Sequence, residues 1–180
     1  MLRKTQKSAC NEDNLHSLYL EFLKRFYEDG DRKQARKLAT RLEQALASSP
    51  DDAAAIRGDE IRSLLAELRG DFAEAARCRE TEIRRILELH SLVVNTPSWD
   101  YVSRRYDFSD VSDRLDLLAL LYDKQGDLDR AIATLIESRD YCQSHKIPFD
   151  GREILEELEQ DRTQSAARKA AKIRSARRAG

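Results

Sequence analysis

Three times along the chain a helix-like apolar stretch runs into Gly-Asp, and an alanine follows four residues after the aspartate: Gly30-Asp31 with Ala35, Gly70-Asp71 with Ala75, and Gly126-Asp127 with Ala131. Glycine reaches the left-handed backbone region that closes a helix without a Cβ penalty, and the aspartate after it caps the next helix by accepting from its first unpaired N–H groups. Two residues thus end one helix and start another. The alanine falls one turn into the second helix, where a minimal side chain lets the paired helices approach closely. The pattern predicts recurring helix hairpins, which are the units of stacked arrays, and such arrays usually present binding surfaces.

The rest of the composition agrees with an all-α chain. Charged residues make up 36%, with only three prolines and six glycines, a balance that favours amphipathic helices over strands. A length of 180 residues suits one folding unit or a short solenoid. Cys10, Cys78 and Cys142 are odd in number and widely spaced, with no Cys-x-x-Cys, and read as free thiols in a reducing compartment. No apolar run approaches the roughly 20 residues that cross a bilayer, so no membrane span is expected. Met1-Leu2-Arg3-Lys4 is basic but lacks the apolar core of a secretory signal, and the expected location is cytoplasmic. Charge is segregated. From Arg162 to Gly180 there are seven basic residues and no acid, so the chain's net −1 leaves −8 on residues 1–161.

Residues 1–11 are expected to form a disordered basic lead-in. A first helix over 12–28 carries Leu15, Leu18, Tyr19, Phe22, Leu23 and Phe26 on one face. Its partner over 32–47 offers Ala35, Leu38, Ala39, Leu42 and Leu46. Ser49-Pro50-Asp51-Asp52 is a helix start signal, leading into a third helix with Ile56, Ile61, Leu64, Leu65 and Leu68. A fourth helix spans about 72–94. Thr96-Pro97 interrupts, and Ser98 to Phe108 gathers Trp99, Tyr101, Tyr106 and Phe108, which reads as a short helix and turn inserted between units. Ser109 or Asp110 is the expected cap of a fifth helix with Val111, Leu115, Leu118, Ala119 and Tyr122. A sixth spans 128–145. Asp150-Gly151-Arg152-Glu153 resembles a capping box for a seventh, whose apolar residues Ile154, Leu155 and Leu158 stop after two turns. The units fall at 12–47, 50–94 and 109–146 of a repeat domain over 12–160, with an insertion at 96–108, a capping helix from 151, and a basic Ala- and Arg-rich tail over 161–180.

Leu115-x-x-Leu118-Ala119-x-x-Tyr122-x-x-x-Gly126-Asp127-x-x-x-Ala131 resembles the tetratricopeptide repeat, and Asp116 to Asp127 looks closest to the longer-helix variety of kinesin light chains. Leu20, Leu23, Phe26 and Gly30-Asp31 through Ala35 give a looser second match. In the middle unit, aligned on Gly70, the family's large apolar positions fall on Asp59, Arg62 and Ser63, and the apolar residues fit when shifted by two. The resemblance implies an all-α solenoid of about three helix hairpins plus a C-terminal capping helix. It further implies a non-enzymatic adaptor, scaffold or chaperone-like module that takes a partner peptide or helix in a concave groove. Its groove positions map to Leu20, Lys24, Tyr27 and Glu28 in the first unit and to Asp113, Asp116, Leu120, Asp123 and Lys124 in the third.

Each candidate site has two readings. Asp107, Asp110, Asp113 and Asp116 recur every three residues, as a clamp for a Lys or Arg of a partner or as a well-capped helix start. Trp99, Tyr101 and Tyr106 are aromatic anchors for a partner or a plug between units. The tail residues Arg168, Lys169, Lys172, Arg174, Arg177 and Arg178 are phosphate contacts for nucleic acid or a ribosome, contacts for an anionic membrane or acidic protein, or a solubilising or docked tail. Self-association of a short array is a further alternative. His16, His90 and His145 are scattered without ligand spacing, so neither metal nor cofactor is expected, and the absence of a phosphate loop or nucleophile elbow argues against an enzyme.

Overall fold

The structure, a computed structural model, describes residues 15–49, 55–104 and 106–179. The expected lead-in over 1–11, the helix start at Glu12, Cys10 and Pro50-Asp51-Asp52 lie outside the described residues. So do the side chains of Arg168, Lys169, Lys172, Arg174, Arg177 and Arg178. The described residues are all-helical, without a strand. Helix α1 covers 15–23 and continues as a π-helical turn, Lys24–Glu28; α2 is Arg32–Ser48, α3 Ile56–Arg69 and α4 Phe72–Val93. After them come a single turn α5, Trp99–Val102, then α6, Phe108–Lys124, α7, Leu128–His145, and α8, Arg152–Ala179.

Every Gly-Asp pair does what its chemistry predicts. Gly30, Gly70 and Gly126 take φ of 63°, 79° and 79°. The following aspartates accept at the next helix: Asp31 from the Gln34 N–H at 3.0 Å, Asp71 from Glu74 at 3.0 Å, and Asp127 from Arg130 at 3.2 Å. At the second and third turns a second bond crosses the helix end, from the Asp71 N–H to the Ala66 carbonyl and from the Asp127 N–H to the Tyr122 carbonyl. Ala35, Ala75 and Ala131 are each 0% exposed, buried one turn into the second helix of each hairpin.

The chain divides into two compact units, Met1–Glu82 and Ile83–Gly180, and the dividing point falls inside α4. In the first unit, Leu15, Leu18, Phe22 and Phe26 of α1 join Leu38, Leu42 and Leu46 of α2 and Ile61, Leu64, Leu65 and Leu68 of α3 in one core cluster. In the second, Val111, Leu115, Leu118 and Tyr122 of α6 and Ile132 and Leu135 of α7 are buried, and α8 is anchored by Leu155 and Leu158. No helix among the described residues is long and apolar enough to cross a membrane.

The middle turn has the geometry of the third, with φ 79° at its glycine and an aspartate cap, and α3 buries the apolar set Ile61, Leu64, Leu65 and Leu68 together with polar positions of the unshifted frame. Asp59 and Ser63 themselves occupy buried positions, 4% and 1% exposed. Both make polar contacts in place: Asp59 pairs through Oδ1 with Arg62 at 2.5 Å, and the Ser63 hydroxyl donates to the Ala75 carbonyl at 2.8 Å. The cap of α6 is Asp107 rather than Ser109 or Asp110. Its carboxylate accepts from the Asp110 N–H at 3.0 Å while Asp110 accepts from the Asp107 N–H at 2.8 Å, a reciprocal box in which both side-chain acceptors are carboxylates.

One helix ends on a residue with a Cβ in the left-handed region. Lys146 has φ 57° at the C-terminus of α7, where the Ile147 N–H bonds back to the Cys142 carbonyl at 3.0 Å. Lys146→Gly is therefore expected to raise stability by about 0.5–1 kcal/mol, and Gly126→Ala to lower it by about 1 kcal/mol. Paired urea titrations check both signs; a loss on Lys146→Gly would contradict the assigned backbone strain.

Candidate functional site

Helix α6 presents an acidic stripe. Residues 113, 116, 117, 120, 123 and 124 share one side of the helix by their spacing. Asp113, Leu117 and Lys124 are exposed, and Asp116, Leu120 and Asp123 are half-buried. Leu117, 40% exposed, was not singled out by the sequence reading, yet with Leu120 it adds apolar surface among the acids.

The four aspartates at intervals of three have different surroundings. Asp107 and Asp110 are used up in the capping box, and Asp110 also holds Arg114 at 3.2 Å. Burial would raise the Asp107 carboxyl, but hydrogen bonds from Ser109 and Asp110 hold it below the usual aspartate range. Asp113 and Asp116 go the other way. Partial burial raises Asp113, and Asp110, Asp150 and Asp107 push it further, with Arg114 opposing. Asp116 is raised by burial and by Asp113 and Asp150, against a hydrogen bond from Ser138. Its Oδ1 is buried without a hydrogen-bond partner. Ser138 is fixed in turn by Ser112 at 3.1 Å, itself 2.9 Å from the Cys142 sulfur, so the floor beneath Asp116 is a buried polar patch shared by α6 and α7. Asp150, on the loop before α8, completes a group of mutually repelling carboxylates.

The first unit's candidate residues lie on α1. Leu20 and Tyr27 are each 51% exposed, and Lys24 and Glu28 are exposed beside them. The π-helical turn places the Asp29 N–H on the Lys24 carbonyl at 2.9 Å, and the Tyr27 hydroxyl donates to Glu67 at 3.2 Å. A second tyrosine, Tyr19, donates to Glu60 at 2.6 Å. Burial raises both phenols well above the usual tyrosine range, with Glu60 and Glu67 adding to it and Arg79 opposing in both cases. Arg79 is 3% exposed and pairs with fully buried Glu82 at 2.6 Å. Glu60, Glu67, Arg79 and Glu82 were not marked by the sequence reading.

The insertion's aromatics separate. Trp99 is half-buried, edge-on to His90 at 5.1 Å and tilted against Phe108 at 5.1 Å. The Tyr106 carbonyl accepts from His90 Nε2 at 2.7 Å, and the Arg114 guanidinium lies 5.9 Å from the Tyr106 ring. Tyr101 is 82% exposed and stands apart. Cys78 and Cys142 are free and buried, and burial with the nearby Glu74 pushes the Cys78 thiol up to about 11. Among the described residues no group of three His, Cys, Asp or Glu side chains is placed to hold a metal ion.

The chain matches no protein-family model, no curated protein and no solved structure.

Proposed function

We propose that the chain is a non-enzymatic protein-interaction module, a tetratricopeptide-like array of helix hairpins closed by α8, that binds a cationic peptide or helix along the acidic stripe of α6. The three Gly-Asp turns, each with a left-handed glycine and a capping aspartate, support the array. The observation that carries the ligand is the crowding of Asp113, Asp116 and Asp150, whose burial and mutual repulsion raise the first two carboxyls. Such crowding opposes folding, and it is relieved when a Lys or Arg of a partner enters among the acids. Leu117 and Leu120 supply apolar contact beside the charge, which suits a segment that carries leucine-sized as well as basic side chains.

The linkage has a definite sign. A carboxyl whose folded pKa lies above its unfolded value costs nothing below the ordinary aspartate range, and its ionisation costs stability as pH rises through the raised value. Asp113→Asn with Asp116→Asn should therefore leave the protein as stable or more stable at pH 7. The gain should vanish below about pH 4, near the unperturbed aspartate value. The same variant should bind a fluorescein-labelled nonapeptide of alternating Arg and Leu at least about tenfold more weakly, equivalent to ~1.4 kcal/mol. Gained stability with lost binding marks residues placed for a ligand. Unchanged peptide affinity in the stable double variant would remove the stripe from the site.

A further inference from the structure

The acidic stripe leaves the strongest charge feature of the sequence unused. Helix α8 runs without a break from Arg152 to Ala179. Its start is held: Leu155 and Leu158 are buried, and Arg162 reaches Asp129 at 3.8 Å. Residues 159–165 and 167 are exposed. Beyond them the sequence places Arg168, Lys169, Lys172, Arg174, Arg177 and Arg178 on the same helix, with no acid and with Ile173 as the one large apolar residue between 162 and 180.

The register of those cations selects the partner. At about 100° of rotation per residue, the widest sector between 162 and 178 that holds no cation is only about 80°. An amphipathic helix needs an apolar stripe of about 100° or more to lie on a bilayer or a protein core, and a coiled coil needs apolar a and d positions. This segment has neither. A patch on an acidic protein would need charge on one side of the helix only. A helix seated in the major groove of a duplex is instead flanked by phosphates on both sides. The B-form groove admits an α-helix, whereas the deep, narrow major groove of double-stranded RNA does not. The scale fits as well: the stretch from 162 to 178 spans about 24 Å at 1.5 Å per residue, along which B-DNA presents about 14 charges at 1.7 Å each.

We propose that the distal half of α8 is a DNA-binding element that lies in the major groove of double-stranded DNA and is held by phosphate contacts from Arg168, Lys169, Lys172, Arg174, Arg177 and Arg178. Residues 1–161, at −8, add no attraction, so binding resides in this helix alone. The proposal is independent of the peptide site on α6, and Asp113→Asn with Asp116→Asn leaves it unchanged.

The test is fluorescence anisotropy of a labelled 20-base-pair DNA duplex with the full-length protein. Six phosphate contacts predict a log–log salt slope of up to about −5, so affinity falls by about 10³-fold between 50 and 200 mM salt. The variant Arg168→Gln, Lys169→Gln, Lys172→Gln, Arg174→Gln keeps good helix formers and leaves Leu155 and Leu158 in place; its slope should shrink to about −2. Truncation after Asp161 should abolish binding, and duplex RNA of equal length should bind at least tenfold more weakly. Absence of DNA binding at 50 mM salt overturns the proposal. So does equal competition by duplex RNA or by poly-glutamate, which would make the helix a general polyanion or acidic-protein contact. Salt-sensitive self-association of the full-length protein that the Gln variant abolishes also overturns it, by placing the helix on the acidic face of another copy.

Discussion

Replacing Glu82 by alanine is expected to destabilise the protein by about 3–5 kcal/mol, because it strands the Arg79 guanidinium where it is only 3% exposed. The pair lies at i, i+3 on α4, with side chains 4% and 0% exposed and 2.6 Å apart. Arg79 also acts on Tyr19 and Tyr27, so its charge is tied to two hydroxyl–carboxylate bonds from α1 to α3. Losing Glu82 leaves a cation whose Nε already has no hydrogen-bond partner. The double variant Arg79→Leu, Glu82→Leu removes both charges and fills similar volume, and it should recover most of the loss. Guanidinium titrations of the two single variants and the double variant give the coupling. Equal losses in Glu82→Ala and the double variant would show that the pair contributes packing and not charge compensation. Hydrogen exchange in α1 and α3 should report the single variant first, since those helices hold the tyrosines.

Phe22→Ala should cost about 3–5 kcal/mol. Phe22 is 0% exposed and stacks on Phe26 with ring centroids 5.5 Å apart and planes inclined by 17°. It belongs to the core cluster formed by α1, α2 and α3. Truncation deletes the ring and leaves a cavity that cannot close without moving three helices. Leu20→Ala, two residues earlier on the 51% exposed face, should change stability by less than about 0.5 kcal/mol. Measured side by side, the two separate the core face of α1 from its exposed face. A loss under about 1 kcal/mol for Phe22→Ala would contradict the burial described here.

The sequence made some of this legible for local reasons. A Gly-Asp turn is complete within six residues, so Gly30, Gly70 and Gly126 and their capping aspartates could be read without knowing what surrounds them. Lys146 could not, because a lysine carries no sign of the left-handed backbone that the end of α7 requires of it. The middle repeat is harder to read for a physical reason: α3 is buried on several sides, and Asp59 and Ser63 enter its interior by bonding to Arg62 and the Ala75 carbonyl, which a hydropathy pattern scores as exposed. Arg79 and Glu82 did leave a trace. They fall in phase with Ala75, Ile83 and Ile86 on the buried side of α4, where two charges are tolerated only if they pair. Along α6, spacing gathered the four acids, but it could not tell Asp107 and Asp110, satisfied in the capping box, from Asp113 and Asp116, which are not. The loop residue Asp150, more than thirty positions away, reaches that group only through the fold.

The π-helical turn at Lys24–Glu28 has a consequence for how this sequence tolerates length change. A π turn is an α-helix carrying one extra residue. Removing one position between 24 and 28 would let the turn relax to regular α geometry, while the same removal in α6 would rotate every later side chain by about 100°. In α1 the residues beyond the deletion are few, and they lead directly into Gly30, where the chain changes direction. The end of the first helix can therefore absorb a one-residue indel that the rest of the core would reject, and the aim of Tyr27 at Glu67 is what such a deletion would alter.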